Sequence, residues 1–163
     1  MTNYEMKNKF THISSSGNPQ MVDVSKKKIT LRTASAQAIV HLGKDIISKM
    51  RGDELITKKG PVFQTAIIAG VMGAKKTADL IPFCHPLGLE DCQLKITVKG
   101  DCAIINSLAI VTGKTGVEME ALTACSVAAL TIYDMCKALS HNIVIEEIKL
   151  LEKTGGKKDF KRA

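Results

Sequence analysis

The chain has 163 residues, the length of one ordinary domain, and a hydrophobic fraction of 45%, which is enough for a buried core. Its net charge of +7 favours an anionic partner, but only 4% of its residues are aromatic and none is Trp, which disfavours a single-stranded nucleic-acid binder that stacks bases. Five cysteines without a C-x-x-C pair predict reduced thiols and no metal site. Without a signal peptide or a long apolar run, we expect a cytoplasmic protein that does not span a membrane.

The first third of the chain predicts an arm followed by one helix. Residues 1–9 are expected to form a flexible arm, and residues 10–163 a single domain with a basic C-terminal tail. Met21–Thr30 is predicted to be extended, and Thr33–Met50 to be a helix. The helix is inferred from apolar residues that recur every four positions, namely Ala34, Ala38, Leu42 and Ile46.

The middle of the chain predicts a helix, a loop and a hairpin. The helix opens at Pro61, and Gly70 and Gly73 within it indicate close packing. After the loop LIPFCHPLG, two strands are predicted over Leu89–Val98 and Cys102–Val111. Helices combined with hairpin strands predict an α+β fold in which an antiparallel sheet is covered by helices on one face.

The segment from Thr115 to about Leu139 predicts the longest helix, with Thr115 and Glu118 as a capping box. The preceding Lys114 makes the helix N-terminus a possible anion site, although an ordinary capped helix fits equally well. Apolar residues on nearly every side predict burial all round, and therefore a homo-oligomer that covers one side. A last strand is predicted over Asn142–Leu151.

Polar residues on this helix form one stripe that includes Glu120 and Asp134. Asp134 with Lys137 fits either a structural ion pair or a catalytic carboxylate beside a lysine. Because Glu120 and Asp134 are about 21 Å apart along the helix, they cannot form an acid/base pair within one chain. If both serve one site, that site lies across a subunit interface, or they contact different parts of an extended ligand.

Other polar groups are candidates for ligand contacts. His85 is either a structural histidine or part of a substrate-contacting loop, and its neighbour Cys84 is poorly placed as a nucleophile partner. Arg32 could grip a phosphate with two hydrogen bonds. The basic segment Lys153–Lys157 is suited to phosphate, or is part of a solvated tail.

Five stretches together resemble the cyclic pyranopterin monophosphate synthase family, the MoaC proteins of molybdenum cofactor biosynthesis. The stretches are MVDVSKKKITLRTA (Met21–Ala34), KKGPVFQTAIIAGVMGAKKT (Lys58–Thr77), LIPFCHPL (Leu80–Leu87), TGKTGVEMEALTACSVAALTIYDMCKAL (Thr112–Leu139) and LLEKTGGK (Leu150–Lys157). The tail GGKKDF departs from the family pattern, so the resemblance assigns no role to Lys157.

The resemblance implies a ferredoxin-like fold, a homohexamer built as a trimer of dimers, and sites at subunit interfaces. The implied substrate is 3′,8-cyclo-7,8-dihydro-GTP, made by a partner radical enzyme, and the products are cyclic pyranopterin monophosphate and diphosphate. No cofactor is implied, apart from a magnesium ion that could accompany the triphosphate. The family's catalytic aspartate falls on Asp134.

Its remaining site residues also have counterparts. Lys59 and Lys137 are expected to join Asp134 in acid/base work, with Lys59 coming from another subunit. The expected substrate-binding residues are Phe83, Cys84, His85, Met119, Glu120, Arg32 and Lys153.

Two other hypotheses remain for the function. The charge also fits a nucleic-acid-binding protein, whose affinity would fall steeply with salt. The third hypothesis is an oligomer that binds a nucleotide without reacting.

Overall fold

Alternating burial makes residues 30–41 a strand rather than the predicted helix. β1 (Thr30–His41) buries Arg32, Ala34, Ala36, Ala38 and Val40 on one face, and the residues between them are half-buried. Only α1 (Lys44–Ile47) is helical in this region. The prediction of a helix over Thr33–Met50 is therefore wrong. A spacing of four residues fits one face of a helix, but it also fits every second inward position of a strand.

The computed structural model describes residues 17–163, so the predicted arm over residues 1–9 and the domain start at residue 10 lie outside the described residues. The elements that follow α1 are β2 (Ile56–Thr57), β3 (Gly60–Pro61), α2 (Val62–Lys75), α3 (Thr77–Leu80), β4 (Asp91–Lys99), β5 (Cys102–Gly113), α4 (Glu118–Cys136), β6 (Val144–Thr154) and β7 (Phe160–Lys161).

Five strands form one antiparallel sheet in the order β4-β5-β1-β6-β7. The chain order β1-α2-β4-β5-α4-β6 is the ferredoxin-like arrangement, so the predicted fold class is confirmed. The inward residues of β1 and β5 form the core together with α4, and α2 packs against α4 and β4. The predicted hairpin is also confirmed: β4 and β5 are joined by a turn at Gly100, whose φ is +60°.

The two long helices pack closely because glycines face the contact between them. A Cβ atom on Gly70 would lie 2.9 Å from the carbonyl oxygen of Ala124, and one on Gly73 would lie 2.9 Å from the Cβ of Val127. Both distances are shorter than real Cβ contacts, so a side chain at either position would push α2 away from α4. The prediction that these glycines serve packing is confirmed.

α4 begins three residues later than predicted and has no side-chain cap at Val117. The predicted capping box is wrong, because no side-chain hydrogen bond caps the helix and the carboxylate of Glu118 accepts a hydrogen bond from Lys153. α4 has 19 residues and enough apolar character to cross a membrane by length and composition. More than half of it is buried within the fold, however, and its buried residues form part of the core.

The C-terminal segment folds back onto the sheet. β6 extends to Thr154, beyond the predicted strand end at Leu151, and β7 pairs with its last part. The backbone amide of Gly155 donates to the carboxylate of Asp159 at 3.0 Å, which closes the turn between the two strands. The basic segment is therefore attached to the sheet edge and is not a free tail.

Candidate active site

Three charged side chains meet where α4 ends. The Nζ of Lys59 lies 2.6 Å from Oδ2 of Asp134, and the Nζ of Lys137 lies 2.8 Å from Oδ1. Lys59 also donates to the backbone carbonyl of Asp134 at 3.1 Å. The structure thus brings the three expected catalytic residues together. In this contact Lys59 and Asp134 belong to the same chain, whereas the resemblance implied that Lys59 comes from another subunit.

The two lysines change the acidity of the carboxylate between them. Hydrogen bonds from Lys137 and Lys59 lower the pKa of Asp134 to about 2. In return, the hydrogen bond to Asp134 raises the pKa of Lys137 above its usual value. About half of the Asp134 side chain is exposed (53%), so this cluster is open to a ligand or to another protein surface. The cluster therefore places two lysine side chains against one carboxylate.

A tight turn presents Lys59 to α4. The strands β2 and β3 pair across Lys58 and Lys59, and Gly60 follows with a φ of +109°, which favours glycine. The hydroxyl of Thr57 accepts from the amide of Lys59 at 3.2 Å and donates to the carbonyl of Gly60 at 3.4 Å. These two hydrogen bonds stabilise the turn that carries Lys59.

Five of the seven expected substrate-binding residues line one cleft of about 570 Å³ near the start of α4. They are Phe83, Cys84, His85, Met119 and Glu120. Val22, Val24 and Leu87 add apolar wall, so most of the lining is apolar. Residues from a loop, a helix start and the segment before β1 therefore converge on one concave surface, which is the usual form of a small-molecule site.

The polar groups of this apolar cleft differ in what they can do. Glu120 is only 4% exposed, and burial raises its pKa, to which the charge of Glu118 adds. The Nε2 of His85 donates to the carbonyl oxygen of Val22 at 2.8 Å, which leaves Nδ1 without that proton when the ring is neutral. Burial also raises the pKa of the Cys84 thiol, which disfavours the thiolate that a nucleophile needs.

The other two expected binding residues, Arg32 and Lys153, line a second cleft of about 240 Å³. We call it the basic cleft. Three further lysines line it, namely Lys27, Lys114 and Lys157. Lys114, whose place before α4 fits either an anion site or an ordinary helix start, thus lines this cleft. The two clefts are continuous, since both are lined by Lys27, Thr115, Gly116, Glu118 and Lys157.

Beside the basic cleft, the turn at Gly155 passes very close to the backbone at the start of β1. The buried guanidinium of Arg32 donates to the carbonyls of Gly113 and Lys114 at 3.4 Å each. Gly155, with a φ of +77°, passes so close to the backbone of Leu31 that a Cβ there would overlap its carbonyl. The hydroxyl of Thr30 then donates to the carbonyl of Gly155 at 2.8 Å. Only glycine fits at this crossing.

The charged cluster and the clefts lie toward opposite ends of α4. Glu120 in the apolar cleft is in the first turn, and Asp134 is in the last, about 21 Å further along the axis. One chain therefore carries two separate half-sites. No group of three or more His, Cys, Asp or Glu side chains placed to hold a metal ion occurs within residues 17–163.

Comparison with known proteins gives consistent relatives. The sequence pattern of the MoaC family matches residues 21–156. A cyclic pyranopterin monophosphate synthase of Xanthomonas campestris pv. campestris (strain B100) is 48% identical over 157 residues, with 93% of each chain covered. A molybdenum cofactor biosynthesis bifunctional protein of Synechocystis sp. is 55% identical over 92% of this chain and 45% of its own. Molybdenum cofactor biosynthesis protein 1 of Dictyostelium discoideum is 46% identical, and the chain spans 27% of its length.

Proposed function

Because this chain belongs to the MoaC family, we propose that it acts as a cyclic pyranopterin monophosphate synthase in molybdenum cofactor biosynthesis. The proposed reaction converts 3′,8-cyclo-7,8-dihydro-GTP into cyclic pyranopterin monophosphate and diphosphate, which is phosphorus–oxygen lyase chemistry. The observation that carries the proposal is the basic cleft that continues into an apolar cleft with a buried glutamate. One half of that surface suits a triphosphate and the other suits a fused ring.

The basic cleft supplies what the phosphate end of such a substrate needs. Arg32, Lys153 and Lys114 surround a small space in which anionic oxygens would be neutralised. When the cyclic phosphate closes, the α-phosphorus exchanges its bond to the leaving diphosphate for a bond to a substrate hydroxyl oxygen. The hydroxyl proton has to leave, and the departing diphosphate carries negative charge that these cations stabilise. A magnesium ion that accompanies the triphosphate is part of the substrate in this proposal.

The charged cluster supplies proton transfer, but not in its resting form. Acid/base groups work best with a pKa near the working pH, whereas Asp134 has a pKa of about 2 and that of Lys137 is raised. Losing one lysine partner would raise the pKa of Asp134 from about 2 toward its ordinary value of 3.8. A substrate that draws one of the lysines toward itself as a proton donor would therefore leave Asp134 as a stronger base in the same step.

We place the cluster of one copy beside the clefts of another, in a homohexamer arranged as a trimer of dimers. The distance of about 21 Å along α4 supports this, because one chain cannot bring both half-sites to one small substrate. The proposal includes a cytoplasmic location and a functional link to the radical enzyme that makes the substrate. It includes no nucleic-acid or membrane partner.

The test is to incubate the purified protein with 3′,8-cyclo-7,8-dihydro-GTP and to follow diphosphate release and pterin formation. We expect turnover, and we expect Asp134→Asn to reduce kcat/KM by roughly 10²–10⁴-fold while the oligomer stays folded. Saturable binding without diphosphate release would instead favour a nucleotide-binding oligomer. Salt-sensitive binding of duplex or single strands without turnover would favour a nucleic-acid-binding protein.

A further inference from the structure

The first turn of α2 is capped by a residue that lies outside the helix. Pro61 occupies the N-cap position and offers no side-chain acceptor. The carboxylate of Glu54 takes its place: Oε1 accepts from the amide of Phe63 at 2.8 Å, and Oε2 accepts from the amide of Gln64 at 3.0 Å. A negative charge at a helix N-terminus also opposes the helix dipole favourably. Glu54 thus fixes where α2 begins.

The same carboxylate closes the loop that precedes α2. Its Oε1 also accepts from the amide of Leu55 at 2.8 Å, so one oxygen holds both ends of the segment 55–63. The amide of Val62 donates to the carbonyl of Leu55 at 2.9 Å, and the Leu55 side chain is fully buried. On the other side, Glu54 forms a backbone bridge with Arg51. The loop is therefore anchored at its base by Glu54.

The tip of this loop carries Lys59, which reaches Asp134 at 2.6 Å. We propose that Glu54 is a positioning residue, which aims Lys59 at Asp134 by holding the loop closed against the start of α2. The inference rests on the proposed function, in which the charged cluster performs proton transfer. Glu54 acts through three backbone amides and the turn they support, so its effect on Asp134 is indirect.

The direction in which Glu54→Ala shifts the measured pKa of Asp134 separates a positioning role from a direct effect of the Glu54 charge. The carboxyl carbon of Asp134 can be titrated by NMR as the pH is lowered from neutrality in the wild type, Glu54→Ala, Lys59→Ala and the double variant. Deleting the negative charge of Glu54 would by itself lower the pKa of Asp134. Loss of Lys59 from the cluster would raise it from about 2 toward the ordinary 3.8. We expect a rise in Glu54→Ala and no further rise when Glu54→Ala is added to Lys59→Ala.

A second arm uses turnover. Since misplacement of a catalytic group by about 1 Å can cost 10²-fold, Glu54→Ala should lower kcat/KM on the order of 10²-fold, and much less in the Lys59→Ala background. Glu54→Gln keeps one oxygen for the Leu55 and Phe63 amides and should recover part of the loss. The stability control is Thr77→Ala, which removes a buried hydrogen bond of 2.9 Å to Ala74 near the far end of α2.

The NMR titration and the turnover measurement can fail independently of each other. If the wild type shows no turnover, the proposed function fails and the NMR arm still judges the role of Glu54. An unchanged or lowered pKa of Asp134 in folded Glu54→Ala, or losses in kcat/KM that simply multiply in the double variant, would overturn the inference. A rise of the same size in Thr77→Ala would also overturn it, because the effect would then be general destabilisation.

Discussion

The Nζ of Lys153 on β6 lies 2.7 Å from Oε1 of Glu118 in the first turn of α4, and both residues line the basic cleft. The pair holds the lysine in place, but it also gives that lysine an internal anion. Any phosphate that binds there has to compete with Glu118 for the same cation. The cleft is therefore less attractive to anions than its lysines alone would make it.

Removing Glu118 and removing Lys153 should change the affinity of the basic cleft for anions in opposite directions. Glu118→Gln should tighten the binding of inorganic triphosphate about two- to fivefold, because the competing carboxylate is lost while the cations remain. Lys153→Met should weaken binding roughly tenfold or more, since a hydrogen bond from a charged group is lost. Titration calorimetry at two salt concentrations measures both effects.

The matched control for these variants is Lys149→Met. Lys149 is also on β6 and pairs with Glu147 at 2.8 Å, but it does not line the basic cleft. It should leave triphosphate affinity unchanged at the higher salt concentration, where long-range attraction is screened. Equal losses in Lys149→Met and Lys153→Met would show that only net charge matters.

Glu120→Gln should stabilise the fold at neutral pH. Because burial raises the pKa of Glu120, the folded chain holds this proton more tightly than the unfolded chain does. That contribution to the free energy of unfolding is fully present below the unfolded pKa of about 4.5 and is lost as the pH rises through the raised folded pKa. As the pH rises above about 4.5 the wild type therefore loses stability that the glutamine variant, which does not titrate, keeps.

Thermal unfolding across a pH series measures the effect of Glu120→Gln. We expect its Tm to exceed that of the wild type by about 2–4 °C at neutral pH, and the difference to shrink below pH 4.5. The control is Glu90→Gln, which should show no such gain. The carboxylate of Glu90 accepts a hydrogen bond from the hydroxyl of Thr112 on β5. A gain that persists at low pH would mean that packing, not charge, causes it.

Gly155→Ala should damage the basic cleft. The φ of +77° alone disfavours alanine by about 1–2 kcal/mol, and the Cβ would in addition collide with the Leu31 carbonyl. The collision has to move the turn or the start of β1, and Arg32 lies next to it. We expect a lower free energy of unfolding in urea and weaker triphosphate binding.

Gly88→Ala is the control, because a Cβ at Gly88 meets nothing within 4 Å and its φ is not in the left-handed region. It should leave both the free energy of unfolding and the triphosphate affinity close to wild-type values. Should Gly155→Ala behave like Gly88→Ala, the close crossing over β1 would have no role in shaping the cleft.

Local patterns in the sequence predicted the elements whose periodicity is unambiguous. The hairpin at Gly100 and the close packing at Gly70 follow from strand alternation and from glycines within a helix. β1 was misassigned because alanine favours helices, and its inward positions repeat every second residue, which includes every fourth. The outward Ser35 and Gln37 carried the contrary signal.

Contacts between distant residues could not be predicted from local pattern. The Glu118 carboxylate fits a capping box when the helix is considered alone, and only the fold shows that Lys153, 35 positions later, takes it. Lys59 and Asp134 are 75 positions apart, so spacing gives no sign of their contact, and only the family resemblance named them together. The contribution of Lys27 to the basic cleft similarly depends on how the segment before β1 lies across the sheet end.

α4 also limits how this sequence can change. Loops tolerate added or lost residues, but the helix between Glu120 and Asp134 sets both a distance and an angle. Deleting a single residue there would turn Asp134 by about 100° relative to Glu120 and shorten their separation by about 1.5 Å. The carboxylate would then point away from Lys59 although every side chain of both half-sites were still present. For this stretch of the chain, residue count matters as much as residue identity.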